Sequence, residues 1–195
     1  MDTVLIVVII IAVVLAVGVA VVLLYRRRRS DQLRQRFGPE YERALGESDH
    51  RGEAEKELRS REKRRSAFEI TPLTGQDATR YSQEWADIRL RFVDQPAEAV
   101  TQADRLVIQM MRDRGYPVDD FEQRVDDISV DHPEVAQHYR EAHAVAIAQA
   151  ADSADTEQLR QAVTSYGQLV HALLSENRRQ NSPTDRVSSD DREHA

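Results

Sequence analysis

The residues left in this chain as metal-ligand types are histidine, aspartate and glutamate, because it contains no cysteine. Thiol catalysis, thiolate-bound zinc or iron–sulfur centres and disulfides are thereby excluded. His138 and His143 are five residues apart, which on a helix separates their side chains by about 140°, so they cannot hold one ion as an i, i+4 pair would. Glu134 and His138 do have the four-residue spacing. Carboxylate-bridged bundles, however, need a Glu-x-x-His pair on each of two helices, and that repeat is missing here. His132 precedes Pro133 and reads as a surface residue at a helix start. A metal- or small-ligand-binding module, catalytic or not, would have to be built from Glu134, His138, His143 and His171.

The acids Asp119, Asp120, Asp126, Asp127 and Asp131 lie close together, but a calcium loop needs alternating acids around a central glycine. DDFEQRVDDISVD has neither. Helix caps and a solvated acidic face account for the cluster, with a docking surface for a basic partner as the alternative. Phosphate loops, G-x-S-x-G elbows and H-E-x-x-H pairs are absent from the sequence, whose seven glycines stand singly. The residues therefore point away from an enzyme and name no cofactor.

The elements that must position these residues begin with an apolar run. Thr3 to Leu24 holds no ionisable group, and as a helix it would reach about 33 Å, enough to cross a hydrocarbon core. A cleaved signal peptide would open with positive charge, whereas the only charge before this run is Asp2, and Arg26, Arg27, Arg28 and Arg29 follow it. By the positive-inside rule the amino terminus lies outside and everything after Tyr25 inside the cytoplasmic membrane. The four arginines are the membrane flank, placed to contact anionic lipid headgroups. Ala12, Ala16 and Ala20, with Gly18 nearby, form a small-residue stripe that permits close packing and self-association of membrane helices.

Residues 26–66 carry 14 Lys/Arg against 9 Asp/Glu, and residues 67–195 carry 13 against 24. The basic part is expected to be a charged helical stalk, solvated or lying on the membrane, with breaks at Gly38-Pro39 and between Gly46 and Gly52. Residues 67–177 read as four amphipathic helices and a short fifth, a small antiparallel all-α bundle. Its helices are marked by Tyr81, Trp85, Ile88 and Phe92, by Ala99 to Met110 after Pro96, by Phe121 and Val125, by Val135 to Ala150, and by Leu159 to Leu173. Capping is expected from Thr74 with Asp77, Asp119 with Glu122, Asp131, and Asp155 or Thr156. The aromatic residues read as core, and Arg114–Pro117 (RGYP) as a helix stop and turn. Residues 178–195 read as a disordered tail. Because the folded part is acidic it would repel nucleic acid.

The strings RFGPEYERAL (36–45), RFVDQPAEAVTQADRLV (91–107), RGYPVDDFEQRVDDISVDHP (114–133) and TEQLRQAVTSYGQLVHALL (156–174) resemble an uncharacterised bacterial family labelled hypothetical or secreted proteins. Its members combine an N-terminal apolar segment, a charged stretch and a helical domain. The resemblance implies that architecture and supplies no activity, cofactor or catalytic residue. Taken together, the expectation is a single-pass, membrane-anchored interaction protein presenting an acidic bundle to a protein partner. The tethered ligand- or metal-binding module is the alternative.

Overall fold

The computed structural model describes residues 2–151 and 153–180; the side chains of residues 2–12, 26 and 176–180 lie outside the described set. All regular structure among the described residues is helical, with no strand. Two compact units divide between Arg59 and Ser60.

In the first unit α1 runs from Asp2 to Phe37. It stops where Gly38 adopts the left-handed φ of 47°, a conformation that glycine reaches without a Cβ clash. Pro39 then opens α2 (Pro39–Glu47) in its first turn, as expected of a residue with no N–H to lose. A bend at 48–50 leads into α3 (Arg51–Arg65), which crosses the boundary between the units. The solvated stalk anticipated for this segment needs correction: Leu33, Phe37, Tyr41, Ala44, Ala54 and Leu58 are all buried. Few as they are, these apolar side chains lie close to single helix stripes and are removed from water together.

Among the described residues no helix is long and apolar enough to cross a membrane. Described side chains of the apolar run cover residues 13–24, about 18 Å of helix against a hydrocarbon core of roughly 30 Å. The rest of the run, Ala12 included, lies outside the described side chains. Within the described part the large hydrophobics from Val13 to Tyr25 are 53–65% exposed, and Ala16 and Ala20 are exposed as well.

The second unit is the helical bundle. Thr74 caps α4 (Gly75–Arg91) by accepting from the Asp77 N–H, and its hydroxyl donates to the Asp77 carboxylate at 2.7 Å. Tyr81, Trp85 and Ile88 form the buried face of α4. Pro96 opens α5 (Pro96–Asp113), whose Ala99, Ala103, Leu106, Val107 and Met110 are buried as the period predicts. Tyr81 reaches Asp113 at 2.5 Å and Arg91 reaches Gln102 at 3.5 Å, so α4 and α5 run antiparallel. The cap of α6 (Phe121–Asp131) is Asp120 with the Gln123 N–H, one residue later than expected. Asp131 closes α6 rather than capping its successor, and His132 precedes Pro133 at the start of α7 (Pro133–Ala150). Val135, Tyr139 and Ala142 of α7 are buried but Ala150 is exposed, because a strict four-residue step drifts off a 3.6-residue helix. Asp155 and Gln158 satisfy each other's N–H groups reciprocally at the head of α8 (Thr156–Gln180).

Residues 178–180 continue α8, so the helix outruns the expected start of the tail; residues 181–195 lie outside the described set. α8 packs on α4, α5 and α7. Gly167 is what lets it approach α4, since a Cβ there would stand 3.0 Å from the Trp85 ring.

Candidate functional site

A cleft of about 1200 Å³ lies within the first unit. Arg27 and Arg29 reach its rim from α1, while Arg51 and Arg59 do so from α3. On the N-terminal side of these cations Val21, Val22 and Tyr25 continue the same wall. One end of the cleft is therefore cationic and the other apolar.

Its geometry is organised by Glu55, the acidic residue in the wall. Ser30, buried on α1, donates its hydroxyl to Oε1 of Glu55 and accepts from Nη2 of Arg51 at 2.6 Å. The Tyr41 hydroxyl of α2 donates to the same oxygen at 3.1 Å. Arg51 approaches it at 2.9 Å, and Arg59 pairs with Oε2 at 3.6 Å. Burial pushes the Glu55 carboxyl up, but the hydrogen bonds from Ser30, Arg51 and Tyr41 outweigh it and hold the group below its ordinary range. Glu55 thus stays ionised and links side chains of three helices. Among the lining residues it stands as one carboxylate against four arginines, a net of three positive charges.

Of the flank residues anticipated from sequence, Arg27 and Arg29 enter this cleft; Arg28 is exposed but does not line it, and the Arg26 side chain is outside the described set. Missed were Ser30, Arg51, Glu55 and Arg59. The Glu55–Arg59 spacing reads in the sequence only as helix support. The break between Gly46 and Gly52 was the available sign that the chain turns and brings α3 back beside the flank.

In the second unit the histidines are dispersed. His138 lies 3.8 Å from Glu141, Glu134 is exposed and lies 3.6 Å from His132, and His171 is exposed. His143 stacks on Phe121 at 3.7 Å between centroids and faces Asp104 at 3.4 Å. Among the described residues no group of three His, Asp or Glu is placed to hold a metal ion. His132 corrects the surface expectation, being buried, with its imidazole pKa lowered first by that burial.

The acidic cluster is only partly a solvated face. Asp126 pairs with Arg61 at 2.9 Å and with Arg64 at 3.0 Å. Asp131 takes Arg65 and the Tyr116 hydroxyl, each at 2.5 Å. Asp127 is fully buried. These pairs fasten residues 60–65, read from sequence as stalk, to the bundle.

Asp104 accepts the Tyr166 hydroxyl at 2.8 Å beside His143. Burial pushes its carboxyl up, while the His143 and Tyr166 hydrogen bonds bring the net shift below the ordinary range. Tyr166→Phe removes one of those bonds from a partly buried carboxylate, and a loss of about 1–2 kcal/mol is expected. Thermal unfolding of the full chain followed by Trp85 fluorescence measures it, since Trp85 is the single tryptophan and sits in the bundle core.

Compared with family models, curated proteins and solved structures, the chain matches none.

Proposed function

We propose that this protein is a single-pass, membrane-anchored interaction protein. The apolar run of α1 lies in the bilayer, Arg26–Arg29 lie at its inner face, and the acidic bundle is presented in the cytosol to a protein partner. The observation that carries this reading is the bare apolar surface of α1. From Val13 to Leu24 its large hydrophobic side chains are more than half exposed on every side of the helix. A water-soluble helix buries such a stripe against a neighbour, and a helix apolar all round needs an apolar surrounding. Extended to the whole uncharged run, residues 3–24, the length suits a hydrocarbon core.

The charge order supports the same placement. Basic residues follow the run and the acidic bundle comes later, so an anionic inner leaflet attracts the near segment and repels the far one. The resemblance to a family with an N-terminal apolar segment is consistent with this arrangement.

Alkaline carbonate extraction of membranes tests the anchor. The full chain is expected to stay with the lipid pellet, and a variant lacking residues 3–24 to move to the supernatant. Release of the full chain by alkali would overturn the reading.

A further inference from the structure

We propose that the cleft between α1 and α3 is a binding site for the headgroup of an anionic phospholipid, with its phosphodiester held by Arg27, Arg29, Arg51 and Arg59. This rests on the membrane-anchored reading above and adds to it a stoichiometric lipid ligand.

Charge fixes the sign of the occupant. Four arginines converge on the cleft against the single carboxylate of Glu55, and that carboxylate is already engaged by Ser30, Tyr41, Arg51 and Arg59. A guanidinium presents a planar fork of donors that matches phosphate oxygens in pairs, so several around one cleft select a phosphate rather than a diffuse negative field.

The apolar end fixes the rest of the occupant. Val21, Val22 and Tyr25 line the same cleft and are all more than half exposed. Arg29 is eight residues beyond Val21, about 12 Å along the axis, which suits a phosphate at one end and the first acyl carbons at the other. A free inorganic phosphate would satisfy the arginines and leave that wall bare. The polar-to-apolar order along α1 is also the order of a lipid in the inner leaflet when Tyr25 sits at the headgroup layer.

Glu55 gives the site its shape. Arg51, Glu55 and Arg59 stand at four-residue steps on one face of α3, and the Ser30 hydroxyl ties that face to α1. Arg51 and Arg59 thereby line the same cleft as the flank arginines Arg27 and Arg29, so the site is more than a basic strip along one helix.

Native mass spectrometry of the detergent-solubilised full chain, offered phosphatidylglycerol or phosphatidylcholine, tests the proposal. The chain is expected to retain one phosphatidylglycerol in preference to phosphatidylcholine. R51Q/R59Q should weaken that retention about tenfold, equivalent to about 1.4 kcal/mol. R27Q/R29Q, whose exposed side chains lie outside the Glu55 network, should do the same without disturbing the fold. R28Q, outside the cleft, should leave it unchanged. Undiminished retention in both double variants, equal retention of the zwitterionic lipid, or displacement of phosphatidylglycerol by inorganic phosphate would each overturn the proposal. A chain that resists carbonate yet shows no preference defeats this inference alone. One that alkali releases yet retains phosphatidylglycerol defeats only the anchor.

Discussion

Gly115→Ala is expected to destabilise the bundle by about 3 kcal/mol, lowering its unfolding temperature by on the order of 10 °C. Gly115 ends α5 with a φ of 94°, where an L side chain costs about 1–2 kcal/mol in the backbone alone. The termination is a Schellman motif: the Tyr116 N–H donates to the Met111 carbonyl at 3.0 Å and the Gly115 N–H to the Arg112 carbonyl at 2.9 Å. A Cβ at this position would also stand 2.6 Å from the carbonyl oxygen of Glu69. That oxygen belongs to backbone held against the same turn, since the Thr71 N–H donates to the Arg114 carbonyl at 2.9 Å. Neither side can yield without losing a hydrogen bond, so the steric cost adds to the torsional one. Trp85 fluorescence reads the melt. Gly46→Ala serves as the comparator, because that position has open space within 4 Å and an ordinary helical backbone; it should leave the Trp85 transition in place. A Gly115→Ala melt matching wild type would show that the turn relaxes freely.

Asp127→Asn is expected to act in the opposite direction, stabilising the bundle at pH 7 by on the order of 2 kcal/mol. Asp127 is fully buried and its carboxylate oxygens make no well-formed hydrogen bond among the described residues, Gln123 giving it only a weak one. Burial pushes its pKa up to about 6; Arg64 and Arg65 oppose that shift only in part, and the Asp126 carboxylate reinforces it. In the unfolded chain the group titrates near 3.9. Folding therefore favours the protonated form, and the penalty is absent below about pH 4, grows as the pH rises towards 6 and is complete above it. Two pH units correspond to roughly 3 kcal/mol, and solvent screening near Arg64 reduces that figure. The amide carries no charge, so the stabilisation should be present at pH 7 and vanish near pH 4. Melting the two proteins across that interval measures it. An Asp127→Asn protein less stable than wild type at pH 7 would mean that the arginines stabilise the ionised carboxylate by more than its burial costs.

The helices of the bundle were legible because each carries its own period and its own start signal. Tyr81, Trp85 and Ile88 follow Thr74, and Ala99 to Met110 follow Pro96, so local patterning and tertiary burial agree. Caps were less legible where acids crowd together: Asp119, Asp120 and Asp131 are equally good capping residues by type, and the packing of α6 decides that Asp120 serves. The fastening of residues 60–65 to the bundle could not be read locally, because Arg61, Arg64 and Arg65 find their carboxylates more than sixty residues away. The same holds for the cleft. Arg27 and Arg29 stand out in the sequence beside an apolar run, but Arg51 and Arg59 join them only because the chain reverses after α2 and Glu55 meets Ser30. A serine gives no hint of such a partner from composition or spacing. Arg114 makes the same point in the core, where its guanidinium is buried and donates to the Leu173 carbonyl at 3.3 Å although the sequence suggests only a turn.

The proposed lipid and protein partners both require the chain after Tyr25 to lie on the inner side of a bilayer. The absence of native cysteine makes single introduced cysteines clean reporters of that side. Ser66, exposed just after α3, is a suitable site in the portion proposed to be cytosolic, and Thr3 marks the opposite end of the apolar run. In intact cells a membrane-impermeant maleimide should label Thr3→Cys and leave Ser66→Cys unreacted until the membrane is permeabilised. Labelling of Ser66→Cys in intact cells, or its recovery in the culture medium on a chain that has lost the apolar run, would contradict the account.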